Sequence, residues 1–270
     1  MISVIMPVWN GAKFMDRGIA SVVAQTRPEW ELLIVDDGST DDSLVRAQRW
    51  RNLINRHLGE EKIRVFSTGL NSGPSVARNL AAEEARFNIF AYLDADDIFL
   101  PRRIESLLPC FDRSDLVFSP IMMVKEGGGG LFSIRTFWER ESRVCNSQGE
   151  REPSFQSWVR ARLQWRCDVS PLAVAHRRET FEQVGGFQPG LIVAEDAVLW
   201  RRMADRGARI GFCADVAGWY YVRPEGQFRS RRRFSAGGFE FRSDDPLRQM
   251  GQDLDAEWFA ALEDKKKAHP

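Results

Sequence analysis

Ile89-Phe90-Ala91-Tyr92-Leu93-Asp94-Ala95-Asp96-Asp97 joins five apolar residues to three acids in the last four positions. A short apolar run followed at once by clustered acids reads as a buried strand that carries carboxylates to its carboxyl end. Asp94 and Asp96 are expected to point the same way, because side chains alternate along a strand. Like charges held so close raise one another's pKa unless a cation lies between them. A hard ion that prefers oxygen ligands, Mn²⁺ or Mg²⁺, is the natural candidate, and such an ion keeps positions open for substrate phosphates. Taken alone, the cluster reads equally well as a solvated turn opening the next helix.

A second acidic turn changes that balance. Trp30-Glu31-Leu32-Leu33-Ile34-Val35 is another strand-like run, and it ends in Asp36-Asp37-Gly38-Ser39-Thr40-Asp41-Asp42-Ser43. Two strands of one α/β domain that both end in acids place them on the same sheet edge, where ligands bind in such folds. Asp41 or Thr40 serves as a cap for the helix carrying Leu44, Ala47, Ile54 and Leu58. Capping does not account for Asp36 and Asp37, which precede the glycine.

Around these turns, strand and helix patterns alternate as in βαβ units built on a mainly parallel sheet. Ile2 to Val8 precedes a helix with Met15, Ile19, Val22 and Val23 on one face. After the helix that follows Asp42 comes a strand from Ile63 to Phe66. Asn71-Ser72-Gly73-Pro74-Ser75 is a loop into a helix, with Pro74 in the first turn and Ala77, Leu80 and Ala81 facing inward. Beyond Pro101 the rhythm changes. Arg102 to Leu108 reads as a short helix, Leu116 to Ser119 as a strand, and Gly127 to Gly130 as a turn. Leu172 to Ala175 reads as a strand, Glu179 to Val184 as a helix stopped by Gly185-Gly186, and Asp196 to Arg206 as a helix stopped by Gly207.

The chain of 270 residues is 43% hydrophobic with a formal net charge of +0, enough for a sizeable core and without a global pull toward nucleic acid. No run approaches the ~18 uncharged apolar residues of a membrane span, and no leader precedes the first strand, so a cytoplasmic protein is expected. Cys110, Cys145, Cys167 and Cys213 lack zinc-site spacing and read as buried thiols.

With both turns placed, the chain resembles the inverting GT-A glycosyltransferases of the large family-two type, which depend on nucleotide sugars. The likeness rests on ordered segments: Val4-Ile5-Met6-Pro7-Val8-Trp9-Asn10, Val35 to Asp41, Asn71 to Asn79, Leu93 to Asp97, and Val184-Gly185-Gly186-Phe187 leading to Ala194-Glu195-Asp196-Ala197-Val198-Leu199-Trp200-Arg201. It covers roughly residues 1 to 225, and five segments in order are far more specific than any one. Trp9 stands where the family usually has tyrosine, and Tyr220-Tyr221-Val222-Arg223-Pro224-Glu225 lacks the histidine that family members often carry there.

The resemblance implies an α/β GT-A fold, with a Rossmann-like, mainly parallel sheet flanked by helices and a C-terminal acceptor-side lobe. Residues 1–120 would form the nucleotide-sugar half, 121–225 the acceptor half with the base, and 226–270 an extension. Asp196 matches the family's catalytic base. Asp96 is the main metal ligand, with Asp94 and Asp97 sharing metal, ribose or donor-sugar contacts. Pro7, Val8, Trp9, Asn10, Asp37, Gly73, Arg78, Asp94, Ala95 and Asp96 would line the nucleotide-sugar pocket. The implied partners are a nucleoside-diphosphate sugar and a glycan, lipid-linked or other hydroxyl acceptor, with peripheral contact at the inner face of the membrane. The implied setting is surface-glycan or polysaccharide synthesis.

Chemistry supports two of these assignments independently. An acceptor hydroxyl that displaces a nucleoside diphosphate in one step needs one base and a cation on the leaving group. A carboxylate such as Asp37 can accept from uracil N3–H while Arg78 donates to O4. Cytosine has no N3–H, so UDP is favoured over CDP, with TDP and GDP left open. By position alone, Glu195 and Asp196 also suit a helix start, and Arg78 an exposed helix arginine.

Several residues take plainer readings. Trp158, Trp165, Trp219 and Tyr220 are candidates to stack on acceptor sugars, against the commoner use of tryptophan in a core. Arg229 to Arg233 suits the donor diphosphate, a phosphorylated acceptor, an anionic lipid surface or a solvated or disordered loop. His57, His176 and His269 carry no assigned chemistry. A haloacid-dehalogenase-type phosphatase would need Asp-x-Asp-Gly-Thr, which neither acidic turn provides. A non-catalytic sugar-nucleotide or glycan-binding module would not need Glu195-Asp196.

Overall fold

The computed structural model describes residues 1–125, 131–133, 169–191 and 195–222. The elements follow in chain order: β1 (Ile2–Val8), α1 (Met15–Val23), β2 (Trp30–Asp36), α2 (Ser43–Leu58), β3 (Ile63–Ser67), α3 (Pro74–Glu84), β4 (Ile89–Tyr92) and β5 (Ile98–Phe99). Then come α4 (Arg103–Leu107), a 3-10 turn (Leu108–Asp112), β6 (Leu116–Phe118), β7 (Met122–Lys125) and β8 (Leu131–Ser133). A 3-10 turn (Pro171–Ala173), β9 (Val174–Arg177), α5 (Arg178–Gln183), α6 (Glu195–Asp205), β10 (Ile210–Phe212) and β11 (Gly218–Val222) complete the series.

The described residues fall into two compact units, one of 1–122, 169–191 and 195–220, the other of 123–125, 131–133 and 221–222. In the first, seven strands make one sheet in the order β10-β6-β9-β4-β1-β2-β3. Its pairings are parallel except at β9, which runs antiparallel between β4 and β6. The start of β11 pairs antiparallel with β5. The second unit, among its described residues, carries most of β7 and all of β8.

β1 and β2 are apolar runs because helices cover them, and nearly all of their residues are buried. Each fully buried Ile or Leu contributes roughly 1.5–3 kcal/mol relative to exposure. Leaving β1, the chain moves to β2 and β3 on one side and returns to β4 on the other. The carboxyl ends of β1 and β4 therefore flank a switch point, the crevice in which α/β sheets bind ligands. Below it lies an aromatic cluster of Phe90, Tyr92, His176, Phe181, Phe187 and Trp200. His176 Nδ1 faces the Arg177 carbonyl at 3.0 Å and must donate to it, so Nε2 accepts the Tyr92 hydroxyl at 2.7 Å. Burial pushes the His176 pKa down to about 4, which keeps the ring neutral.

Two sequence expectations are corrected. β4 ends at Tyr92, and Asp97 N–H donates to Asp94 O at 3.0 Å, so a turn and not strand alternation gathers the acids. The segment at Leu172 opens as a 3-10 turn, because Pro171 has no N–H and Ser170 caps the Leu172 N–H; the strand starts at Val174. On α2 only Ser43, Ala47 and Ile54 are buried, while Leu58 is 42% exposed at the helix end before left-handed Gly59. Gly127–Gly130, Trp158, Trp165 and Arg229–Arg233 lie outside the described residues.

Candidate active site

The rim of the switch point is laced from the first two loops. Val8 pairs with Asp36 in register, and Asp37 N–H donates to Val8 O at 2.7 Å. Asn10 sits at φ 51°, in the left-handed region that asparagine tolerates. Its Oδ1 accepts from Thr40 N–H and hydroxyl at 2.8 and 3.2 Å, while its own N–H reaches Ser39 Oγ. Asp42, not Asp41 or Thr40, is the N-cap residue of α2 and makes no side-chain cap bond; Asp41, one residue earlier, accepts from Ser43 N–H and from Ala12 N–H. Trp9 stands 57% exposed beside Asn10, a ring face open to a planar ligand.

Asp37 is 3% exposed and already accepts three hydrogen bonds. Oδ1 takes Thr68 Oγ1 at 2.8 Å and Ser72 N–H at 3.0 Å, and Oδ2 takes Gly73 N–H at 2.8 Å. One lone pair on Oδ2 remains for a further donor. The loop that supplies these donors lies so close to Gly38 (φ 67°) that a Cβ there would come within 2.5 Å of Asn71 N. Only glycine fits.

Asp94 leaves the end of β4, and α6 begins with Glu195 and Asp196. Arg78, projecting from α3 and 3% exposed, joins them. Its Nη2 donates to Asp94 Oδ1 at 2.9 Å and its Nη1 to Glu195 Oε1 at 2.8 Å, whereas the buried Nε has no hydrogen-bond partner. Burial works against the guanidinium charge, but Asp94 and Glu195 outweigh it and raise the pKa. Both terminal nitrogens of the arginine expected to face a base are therefore engaged with acids. The next residue, Asn79, donates from Nδ2 to Phe187 O at 2.8 Å and accepts Phe187 N–H on Oδ1 at 2.9 Å.

Asp196 is partly buried in the first turn of α6. Its pKa is pushed up to about 7, chiefly by burial and then by the charge of Glu195, with Arg78 acting in the opposite direction. A carboxyl that titrates near neutrality suits proton abstraction at working pH. Tyr220, a candidate for stacking on acceptor sugars, lies on β11. Burial and the combined field of Asp97, Asp94, Asp96 and Asp196 raise its pKa, which places the phenol among all four acids. The pairing of β11 with β5, the strand just after the acidic turn, brings it there; a tyrosine pair 120 residues along the chain gave no sign of it. Trp219 is buried, as the core reading expects.

The described residues hold no ready-made group of three or more His, Cys, Asp or Glu side chains around a cation position. The donor set still fits a hard divalent ion, because one turn after β4 carries Asp94, Asp96 and Asp97, and such an ion takes only one or two carboxylates and fills its remaining positions with phosphate and water.

Residues 3–169 match the model of the family described as glycosyl transferase family 2. An uncharacterised glycosyltransferase of Nostoc sp. is 37% identical over 212 residues, which make up 76% of this chain and 56% of that one. The Escherichia coli UDP-Glc:α-D-GlcNAc-diphosphoundecaprenol β-1,3-glucosyltransferase WfgD is 28% identical over 118 residues, 44% of each chain. The chain thus spans about half the length, or less, of the curated relatives it matches. Staphylococcus aureus TarS residues 1–349, solved with UDP-GlcNAc, superimposes with a TM-score of 0.62 at 22% identity, covering 86% of this chain and 61% of that one. The sheet and its flanking helices are those of the GT-A glycosyltransferases, and the chain belongs to glycosyl transferase family 2.

Proposed function

We propose that this chain transfers a sugar from a UDP-sugar to a hydroxyl acceptor in one inverting displacement, with Asp196 as general base. The observation that carries this reading is a partly buried carboxyl in the first turn of α6, whose neighbour Glu195 is tied through Arg78 to Asp94 at the switch point. Asp196 takes the acceptor proton as the acceptor oxygen attacks the anomeric carbon, so it must be ionised when the acceptor binds. Arg78 holds Glu195 and Asp94 at fixed separation, and its charge keeps the base from rising further. Trp9, Pro7, Val8 and Asn10 form one wall for the nucleoside, and Gly73 and Ala95 allow close backbone approach. Asp37 offers its remaining lone pair to uracil N3–H. Asp96, with Asp94, would hold a divalent ion, which when bound would stabilise charge on the departing diphosphate.

WfgD is named for a UDP-sugar donor and a lipid-diphosphate acceptor, and TarS was solved with UDP-GlcNAc, which supports a UDP donor and a surface-glycan or lipid-linked acceptor. Among the described residues no helix is long and apolar enough to cross a membrane. A cytoplasmic enzyme that meets such an acceptor at the membrane face fits these observations. The test is release of UDP from UDP-glucose and UDP-GlcNAc, with and without Mn²⁺, by wild type and Asp196→Asn. Equal turnover by the two proteins would overturn the assignment of the base.

A further inference from the structure

Arg103, Ser106 and Cys110 recur at helical spacing along α4 and the 3-10 turn that continues it, so they share one face. Arg103 is 1% exposed. It donates to Ser119 Oγ through Nη1 and to Leu172 O through Nη2 at 3.4 Å, its charge lies 5.9 Å from the Phe99 ring centroid, and its Nε is buried without a hydrogen-bond partner. No carboxylate pairs with it among the described residues. A cation taken out of water without a counter-charge is costly, and the charges that act on this one are those of two sulfurs, Cys213 and Cys110. Cys110 Sγ lies 3.4 Å and Cys213 Sγ 3.5 Å from one acceptor, the Ser106 carbonyl oxygen. Cys213 is held there because its N–H donates to Phe118 O at 2.8 Å, next to the Ser119 that Arg103 touches. Both thiols are free.

We propose that Cys110 and Cys213, converging on the Ser106 carbonyl beside the carboxylate-free guanidinium of Arg103, are a site of reversible disulfide formation by hydrogen peroxide. The charged groups facing the pair are Arg103 and Asp215, the latter acting through its charge on Cys110 and through its backbone N–H on Cys213. The close approach of the two sulfurs and the charge of Arg103 lower the Cys213 pKa against burial, while the same approach and burial raise that of Cys110. Cys213, anchored at Phe118 next to the Ser119 that Arg103 touches, is the nucleophile and Cys110 the resolving thiol. The Cys213 thiolate attacks one peroxide oxygen. An S–O bond forms, the O–O bond breaks, and hydroxide leaves and is protonated to water. Cys110 sulfur then attacks the sulfenic sulfur; the S–S bond forms, the S–O bond breaks, and the departing hydroxide takes the Cys110 proton as a second water. Two thiols lose two electrons and one peroxide is reduced to two waters.

The pair is partly shielded. Cys213 is 4% exposed and Cys110 half-buried, which admits peroxide more readily than bulky disulfides. The experiment treats the full chain with hydrogen peroxide, blocks remaining thiols with N-ethylmaleimide, and maps peptides by mass spectrometry. A Cys110–Cys213 linked peptide should appear, lighter by two hydrogens, and dithiothreitol should return it to two alkylatable thiols. Arg103→Met should slow linkage by about tenfold by lowering the thiolate fraction. Should that variant fail to fold, Cys110→Ser supplies the same test, because oxidation should then stop at a Cys213 sulfenic acid that dimedone traps. Linkage only through Cys145 or Cys167, an unchanged rate in Arg103→Met, or no dimedone adduct on Cys213 in Cys110→Ser would each overturn the proposal.

Discussion

Arg78 and Arg103 are buried to nearly the same degree, 3% and 1% exposed, yet one meets two carboxylates and the other a hydroxyl, a carbonyl and two thiols. The acids raise the pKa of Arg78, whereas burial pulls that of Arg103 down to about 10. Both tie distant segments together, Arg78 reaching Glu195 across 117 residues and Arg103 reaching Leu172 across 69. Burial alone therefore says little about a cation's role; the source of its counter-charge says more.

The largest effect should come from the acid that the Arg78 cluster surrounds. Asp196→Asn should lower transfer by roughly two to four powers of ten with UDP affinity retained, measured as turnover and by titration calorimetry. In wild type, turnover should rise with pH through about 7, since the base works ionised. Stability should move the other way. Because the folded pKa lies above the unfolded value, wild type loses stability as pH rises from about 4 to 7, after which the cost stays constant. Asp196→Asn avoids that loss and should be more stable than wild type at pH 8 by about 2–4 kcal/mol, with the difference vanishing near pH 4 in denaturant titrations.

Next in size is Arg78→Met, which strands Asp94 and Glu195 and should cost about 3–5 kcal/mol of stability. It should also move the acid limb of the turnover profile to higher pH, because the cation that restrains Asp196 is gone. Adding Glu195→Gln should bring the limb back. If Arg78→Met instead weakens UDP binding and leaves the profile in place, the contrast between the two arginines changes, and Arg78 becomes a reader of the nucleotide. Asp37→Ala separates that role. It should weaken UDP by roughly ten- to a hundredfold, the worth of about 1.5–3 kcal/mol for one charge-assisted bond, and narrow the preference for UDP over CDP in calorimetry. The smallest effect should be that of Arg103→Met, within about 1 kcal/mol by denaturant midpoint, since removing a buried charge that lacks an acid partner offsets the lost hydrogen bonds.

The parallel strands were legible because burial on both faces writes them as apolar runs, as in Ile2–Val8 and Ile89–Tyr92. Both acidic turns were legible for the same reason, since each breaks such a run abruptly. The strand alternation expected of Asp94 and Asp96 failed because the chain turns at Asp94, a choice made by backbone hydrogen bonding that composition does not record. The Arg78 bridge was illegible. Its partners lie 16 and 117 residues away, and nothing local distinguishes a helix arginine that faces acids from one that faces water. Tyr220 was named on the sequence but not placed, because the pairing of β11 with β5 brings it to the acids.

Arg78 and Asn79 are consecutive on α3, about 100° apart around its axis. The first fixes the start of α6 and the second the backbone of Phe187, through an amide whose two ends bond in opposite senses. The helix therefore works as a ruler with two adjacent marks, and its reading frame is part of the architecture. A residue inserted or deleted between Pro74 and Arg78 would rotate both marks away together, so this stretch should resist changes in length more strongly than changes in letter.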